Sequence, residues 1–94
     1  KIKREGSNLI AELPVKLTDA LLGSDYVVNT LDGSVTIKVP AGVSHGELLR
    51  IKGKGVPTSE TTRGDFLVKV RVETPSKLSR KARKLIEELR NEGI

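Results

Sequence analysis

Three short segments hold the residue types that catalysis or ion binding would use. The only histidine, His45, follows Ser44 in a glycine-bounded turn, and the chain has no cysteine. A triad of Ser44, His45 and Asp65 would need nucleophile and base on neighbouring loop positions, and no oxyanion hole is indicated. A zinc site needs several His or Cys ligands. We therefore expect no enzyme activity, no catalytic residue, no metal and no cofactor.

The other two segments are rich in glycine and charge. Gly53-Lys54-Gly55 resembles a phosphate-binding loop, but its flanking spacing fits neither nucleotide-binding fingerprint and no helix follows it. Arg63-Gly64-Asp65 matches an adhesion tripeptide, and in a chain with 31% charged residues it arises readily by chance. We expect it to form a tight turn before Phe66.

The net charge of +5 raises the question of nucleic acid. The basic residues fall in three separate stretches, around residues 1–4, 50–54 and 77–84. Tyr26 and Phe66 are the only aromatic residues, too few for the stacking surface of single-strand binders. Nucleic acid is thus an unfavoured partner, and an RNA-binding β-barrel of the translation machinery is the alternative hypothesis, motivated by the charge and the Lys52–Lys54 loop.

Size and composition limit the class of protein. Ninety-four residues suffice for one domain with one aliphatic core. No apolar run approaches the roughly 20 residues of a membrane span, so no membrane association is expected. The lack of cysteine is consistent with a reducing, cytoplasmic location. The lack of methionine and the charged opening run predict a piece excised from a longer polypeptide.

Period-two alternation indicates several β-strands. Leu9 to Leu17 alternates, and Pro14 predicts an edge strand or a position unpaired on one side. Asp32-Gly33 between two β-rich runs predicts a hairpin. Thr18 is expected to cap a short helical turn that Gly23 closes. The predicted strands are Leu9–Leu17, Tyr26–Leu31, Val35–Val39, Leu48–Lys52 and Phe66–Glu73.

The last segment changes to a helical period. Ser79 is the expected N-cap of an amphipathic helix that runs to about Asn91. One stripe of this helix is apolar, and it comprises Leu78, Ala82, Leu85, Ile86 and Leu89. The predicted fold is mainly β: a small antiparallel β-sandwich over residues 1–77, with an open barrel as the alternative. It has a short internal helical turn and is followed by a C-terminal α-helix in residues 78–94.

Seven ordered segments together resemble the DnaJ co-chaperones, or forty-kilodalton heat-shock proteins, in their second C-terminal, peptide-binding-type domain. They are Lys3-Arg4-Glu5-Gly6-Ser7-Asn8-Leu9, Leu13-Pro14-Val15, Ala20-Leu21-Leu22-Gly23, Thr30-Leu31-Asp32-Gly33, Val39-Pro40-Ala41-Gly42, Leu49 to Pro57 and Arg63 to Pro75. They cover nearly the whole chain. The His-Pro-Asp of the J-domain and the cysteine repeats of the zinc-binding region are absent from it.

The resemblance implies a function without catalysis. It implies binding of unfolded client polypeptides, in a protein that delivers them to a DnaK-type seventy-kilodalton heat-shock chaperone. By position in the paired strands, the counterparts of the family's client pocket are Leu13, Tyr26 and Val28. The segment after the domain is implied to join two copies into a homodimer, which gives the apolar stripe from Leu78 to Leu89 its role.

Overall fold

The computed structural model describes residues 2–94, which form six strands and two helices. The elements are β1 (Ile2–Glu5), β2 (Asn8–Lys16), α1 (Leu17–Leu22), β3 (Ser24–Thr30), β4 (Gly33–Val39), β5 (Leu48–Ile51), β6 (Phe66–Glu73) and α2 (Arg80–Asn91). The molecule is elongated, with extents of 55 × 21 × 20 Å.

The larger sheet has the strand order β1-β2-β6-β5. β1 and β5 lie antiparallel to their neighbours, whereas β2 and β6 are parallel, with Leu9 beside Phe66 and Val15 beside Val72. This central parallel pair is the exception to the predicted antiparallel pattern. It brings the two most regularly alternating segments of the sequence together in the middle of the sheet.

The second sheet is the hairpin of β3 and β4, as predicted. Its register pairs Thr30 with Gly33, so the connecting residues are Leu31 and Asp32. The predicted Asp32-Gly33 loop was therefore wrong by one position. Gly33 has a φ of 117°, and this backbone conformation explains why a glycine closes the turn.

The two sheets stack into a sandwich that is open at its edges. Alternate residues of β6, from Phe66 to Val70, turn inward and are almost fully buried. Val28 and Val39 of the hairpin cover them from the second layer. The core is entirely apolar, and its residues are Leu9, Val15, Ala20, Val28, Val39, Val43, Phe66, Val68 and Val70. The predicted mainly β sandwich is confirmed.

The first third of the chain contains one strand that the sequence did not predict, β1, whose four residues are mostly charged and all exposed. Pro14 lies beyond the stretch Asn8–Ala11 that β1 covers, so its missing N–H disrupts no pairing on that side, as expected. The predicted Thr18 cap was wrong, since α1 begins at Leu17 without a side-chain cap. Gly23 does end α1 and donates to the Asp19 carbonyl.

The C-terminal helix begins and ends where the sequence indicated. The Ser79 hydroxyl accepts a hydrogen bond of 3.0 Å from the Ala82 N–H, which is the usual N-cap contact. No residue of α2 is buried, and neither core cluster includes one. The sandwich therefore completes its core without this helix.

Candidate binding surfaces

Leu13, Tyr26 and Val28 lie between the two sheets. Leu13, on β2, is half-buried and packs against both core clusters. Tyr26 is half-buried against one cluster, and Val28 is a buried member of the other, with 8% of its surface exposed. Of these three residues, only Leu13 and Tyr26 are partly open to solvent, because Val28 is covered by its own domain.

The Tyr26 hydroxyl connects three elements. It donates a hydrogen bond of 2.6 Å to Asp19 Oδ2 on α1 and accepts one of 3.1 Å from the Lys16 N–H at the end of β2. The bond to the Asp19 carboxylate, aided by partial burial, raises the pKa of the Tyr26 hydroxyl above its usual value. The ring is thereby held in one position against the core cluster that Leu13 also contacts.

Free strand edges adjoin these residues. β2 beyond Ala11 has no strand partner on the side of β1, and β3 has none on the side away from β4. The bond from Lys16 to Tyr26 joins the end of β2 to β3 at this place. The unpaired edge of β3 can accept an extended segment through backbone hydrogen bonds, whereas on the free side of β2 Pro14 has no N–H and the Lys16 N–H is already bonded to Tyr26.

A second apolar surface was not predicted from the sequence. Leu22 at the end of α1 is 80% exposed, and Leu21 is also exposed. A shallow depression of about 360 Å³ joins Leu22 to Pro40 and Ala41. The available signal was the Leu21-Leu22 pair in a one-turn helix that uses only Ala20 to reach the core.

The predicted stripe of α2 forms one continuous face and remains uncovered by the rest of the described chain. Leu85 is 52% exposed, and Ile86 and Leu89 are about equally exposed at 39% and 41%. Leu78 precedes the helix and is 40% exposed, and Ala82 is half-buried. A monomer in water thus presents this apolar face to solvent.

A groove separates the helix from the sandwich. Its volume is about 540 Å³. Leu78, Ala82 and Ile86 line the side of the helix, and Leu17 and Pro75 line the opposite side. The groove continues the apolar face of α2 onto the end of the sandwich.

His45 and Ser44 have structural roles. His45 Nδ1 accepts a hydrogen bond of 3.0 Å from the Val72 N–H, which fastens the loop to β6. The Ser44 N–H donates to Glu47 Oε1 in the same loop. Both oxygens of Asp65 are engaged elsewhere, by the Gly53 N–H and by Arg50. Within residues 2–94, no group of three His, Cys, Asp or Glu residues is arranged to hold a metal ion.

The charged loop residues hold their own backbone in place. Arg63 donates twice to the Gly55 carbonyl and also bonds Asp32 at the tip of the hairpin. The Arg63 bond lowers the pKa of Asp32. Lys54 lies 4.0 Å from the same carboxylate. Arg63 and Asp65 are thus both engaged within the domain, which argues against an adhesion role. No feature of residues 2–94 favours RNA binding.

These features define an open, two-layer β-sandwich followed by an amphipathic helix that stands outside its core. A family model described as "DnaJ C terminal domain" matches residues 1–75. The chain therefore belongs to the DnaJ C-terminal domain family, and it is a chaperone-type domain of DnaJ, heat-shock-type co-chaperones. The match ends before α2. In the described part of the chain, neither helix has the length and hydropathy to cross a membrane.

Proposed function

We propose that this domain binds segments of unfolded client polypeptides and pairs with a second copy of itself through α2. It does so as the second C-terminal domain of a cytoplasmic co-chaperone that delivers clients to a DnaK-type heat-shock chaperone. Delivery uses parts of that protein outside these 94 residues, since the chain contains no J-domain motif.

The observation that supports client binding is the position of Tyr26 on β3, whose edge is free, with Leu13 half-buried against the same core cluster. An extended client can bond to a free edge through its backbone, which requires no particular sequence. The half-buried side chains then offer apolar contact to alternate client residues. This combination suits ligands that share the unfolded state and little else.

The test compares the unchanged chain and two variants in their capacity to suppress aggregation of a chemically denatured model enzyme. Leu13→Ser removes an apolar side chain at the proposed site. Leu48→Ser is the matched control, because Leu48 is 52% exposed on β5, and β6 separates β5 from β2. Circular dichroism confirms that both variants are folded at the assay temperature. We expect reduced suppression for Leu13→Ser alone; equal activity of all three chains would place the client site elsewhere.

The pairing role rests on the uncovered face of α2. Burial of one exposed Leu or Ile side chain contributes about 1.5–3 kcal/mol, so a few of them can support a modest interface. Since the sandwich core contains no residue of α2, the helix is free to serve an interface. A two-fold interface would cover the same face on both copies.

Sedimentation of the 94-residue chain beside a Leu85→Asp, Leu89→Asp double variant tests the pairing. We expect a dimer for the unchanged chain and a folded monomer for the variant, with a similar melting temperature at low concentration. A chain that is monomeric at all concentrations would contradict the pairing role. A variant that also unfolds would show that the helix stabilises its own sandwich.

A further inference from the structure

The charges of α2 are distributed in the opposite way to the distribution that stabilises an isolated helix. Its first half carries the bases Arg80, Lys81, Arg83 and Lys84, and its second half carries Glu87 and Glu88 with a single base, Arg90, in the last turn; Glu92 lies just beyond it. The partial positive charge of a helix N-terminus favours acids there, and the C-terminus favours bases. This segregation therefore weakens the helix that contains it.

Contacts within the helix do not compensate. Arg83 and Glu87, and likewise Lys84 and Glu88, are four residues apart with the base first, which is the less favourable order. None of the ion pairs formed among residues 2–94 includes a residue of α2. The charges of this helix are thus left for interactions outside the monomer.

Helical geometry places two of these charges beside the apolar face. Successive residues are about 100° apart around a helix, so Lys81 and Glu88, seven positions apart, lie on the same side. They border the edge of the face next to Leu85. Ile86 forms the opposite edge. One edge thus carries a cation in the first half and an anion in the second half.

The two ways to pair such faces differ in their electrostatics. In a parallel pair, each edge meets the opposite edge of the other helix, so Lys81 faces the edge of Ile86 and the basic halves lie side by side. In an antiparallel pair, identical edges meet in reverse direction. Lys81 of each helix then lies opposite Glu88 of the other.

We propose that α2 pairs antiparallel with α2 of a second copy of this chain, and that two symmetric Lys81–Glu88 contacts set this direction. The inference rests on the pairing role proposed above and specifies its geometry. The apolar face supplies the affinity, and the segregated charges select the orientation. An arrangement that is unfavourable within one helix becomes complementary between two.

Charge reversal tests the direction. In an antiparallel pair, Lys81→Glu places acid against acid twice, and Glu88→Lys places base against base twice. Each variant should dimerise about tenfold more weakly at low salt, with a smaller difference in 1 M NaCl. The double variant Lys81→Glu, Glu88→Lys should recover the dimer, and a mixture of the two single variants should form heterodimers. Glu87→Lys, on the far side of the helix, should behave as the unchanged chain.

Cross-linking supplies a second measurement, because the chain has no cysteine of its own. A mixture of Lys81→Cys and Glu88→Cys chains should form disulfide-linked heterodimers on mild oxidation, and neither chain alone should. If the unchanged chain is a dimer but no heterodimeric bond forms and charge reversal has no effect, the antiparallel geometry is overturned while pairing stands. If the unchanged chain is monomeric, the pairing role itself fails.

Discussion

Tyr26 and Asp19 are joined by a hydrogen bond of 2.6 Å from the phenol hydroxyl to Oδ2, which ties the hairpin sheet to α1. The same hydroxyl accepts from the Lys16 N–H, so one oxygen atom connects the end of β2, the short helix and the start of β3. The position of the Tyr26 ring against the core cluster that Leu13 also contacts depends on this connection.

Tyr26→Phe should therefore lower the free energy of unfolding by about 1 kcal/mol, since it removes a hydrogen bond to a charged acceptor at a partly exposed site. The pKa of Tyr26 is raised in the folded state, so its contribution is complete below the unfolded value of about 10. It is lost as the pH rises through the folded pKa. Urea unfolding between pH 7 and pH 11 should show the two chains converging in alkali; a constant difference would contradict the assignment.

Val28 and its neighbour Val27 form a matched pair for testing burial. Val28 is 8% exposed in the core, whereas Val27 is 66% exposed on the outer face of β3. Val28→Asp buries an unpaired charge and should cost at least about 3 kcal/mol. Val27→Asp should change stability by no more than about 0.5 kcal/mol. Thermal melting of both variants checks this, and equal melting temperatures would disagree with the packing of β3.

The Asp32–Arg63 contact should make stability depend on acid pH. The pKa of Asp32 is lowered in the folded state, so its contribution is present above its ordinary value of 3.8. It is lost as the pH falls through the folded pKa. Asp32→Asn should therefore be less stable than the unchanged chain at pH 7, and urea titrations should show the difference shrinking as the pH falls below 3.8.

Arg63→Ala should cost more than Asp32→Asn, because Arg63 also donates twice to the Gly55 carbonyl. Loss of these bonds at a partly buried site is worth about 1–2 kcal/mol. Arg63→Lys should not restore stability, since an ammonium group lacks the planar fork that reaches both acceptors. Recovery by lysine would show that charge alone matters. The same urea titrations at pH 7 give the comparison.

Gly64 should tolerate no side chain, because a Cβ there would overlap the backbone carbonyl of Ser7 in the turn between β1 and β2. Gly64→Ala should cost about 3 kcal/mol through overpacking. Gly6→Ala is the control: Gly6 has a φ of 61° with open space around it, so only about 1 kcal/mol of backbone strain is expected. Equilibrium unfolding of the two variants would refute the close approach if Gly64→Ala proved the milder change.

Elements with a strong local signal were predicted well. β6 was found from alternation alone, because a period of two requires only that one face be buried, and the hairpin was found from its Asp-Gly turn between two β-rich runs. The helix from Ser79 was found from its cap and its period of about 3.6 residues. β1 was not predicted, because an exposed edge strand needs no apolar residue. It forms by pairing with β2 through the turn at Gly6 and Ser7.

For the proposed binding sites, the sequence did not predict which side chains are exposed. Period-two alternation placed Tyr26 and Val28 on one face of β3, but it could not say that the larger sheet covers Val28 while Tyr26 stays partly open. It likewise could not show that Leu22 projects into solvent, since that depends on how α1 sits on Ala20. The solvent exposure of a side chain depends on how the layers assemble, so it does not follow from a local sequence pattern.

By itself, the sequence determined where the chain alternates, where it turns and where it becomes an amphipathic helix, because these features depend on neighbours within a few positions. It also determined that α2 has an apolar face with segregated charges. Only the tertiary structure decided that β2 lies parallel to β6. In this pairing Leu9 lies beside Phe66, which is 57 positions further along the chain. The apolar faces of different strands have the same alternating pattern, so the pattern does not determine which strands pair. Pairing is determined by side-chain packing and loop geometry when the two layers assemble.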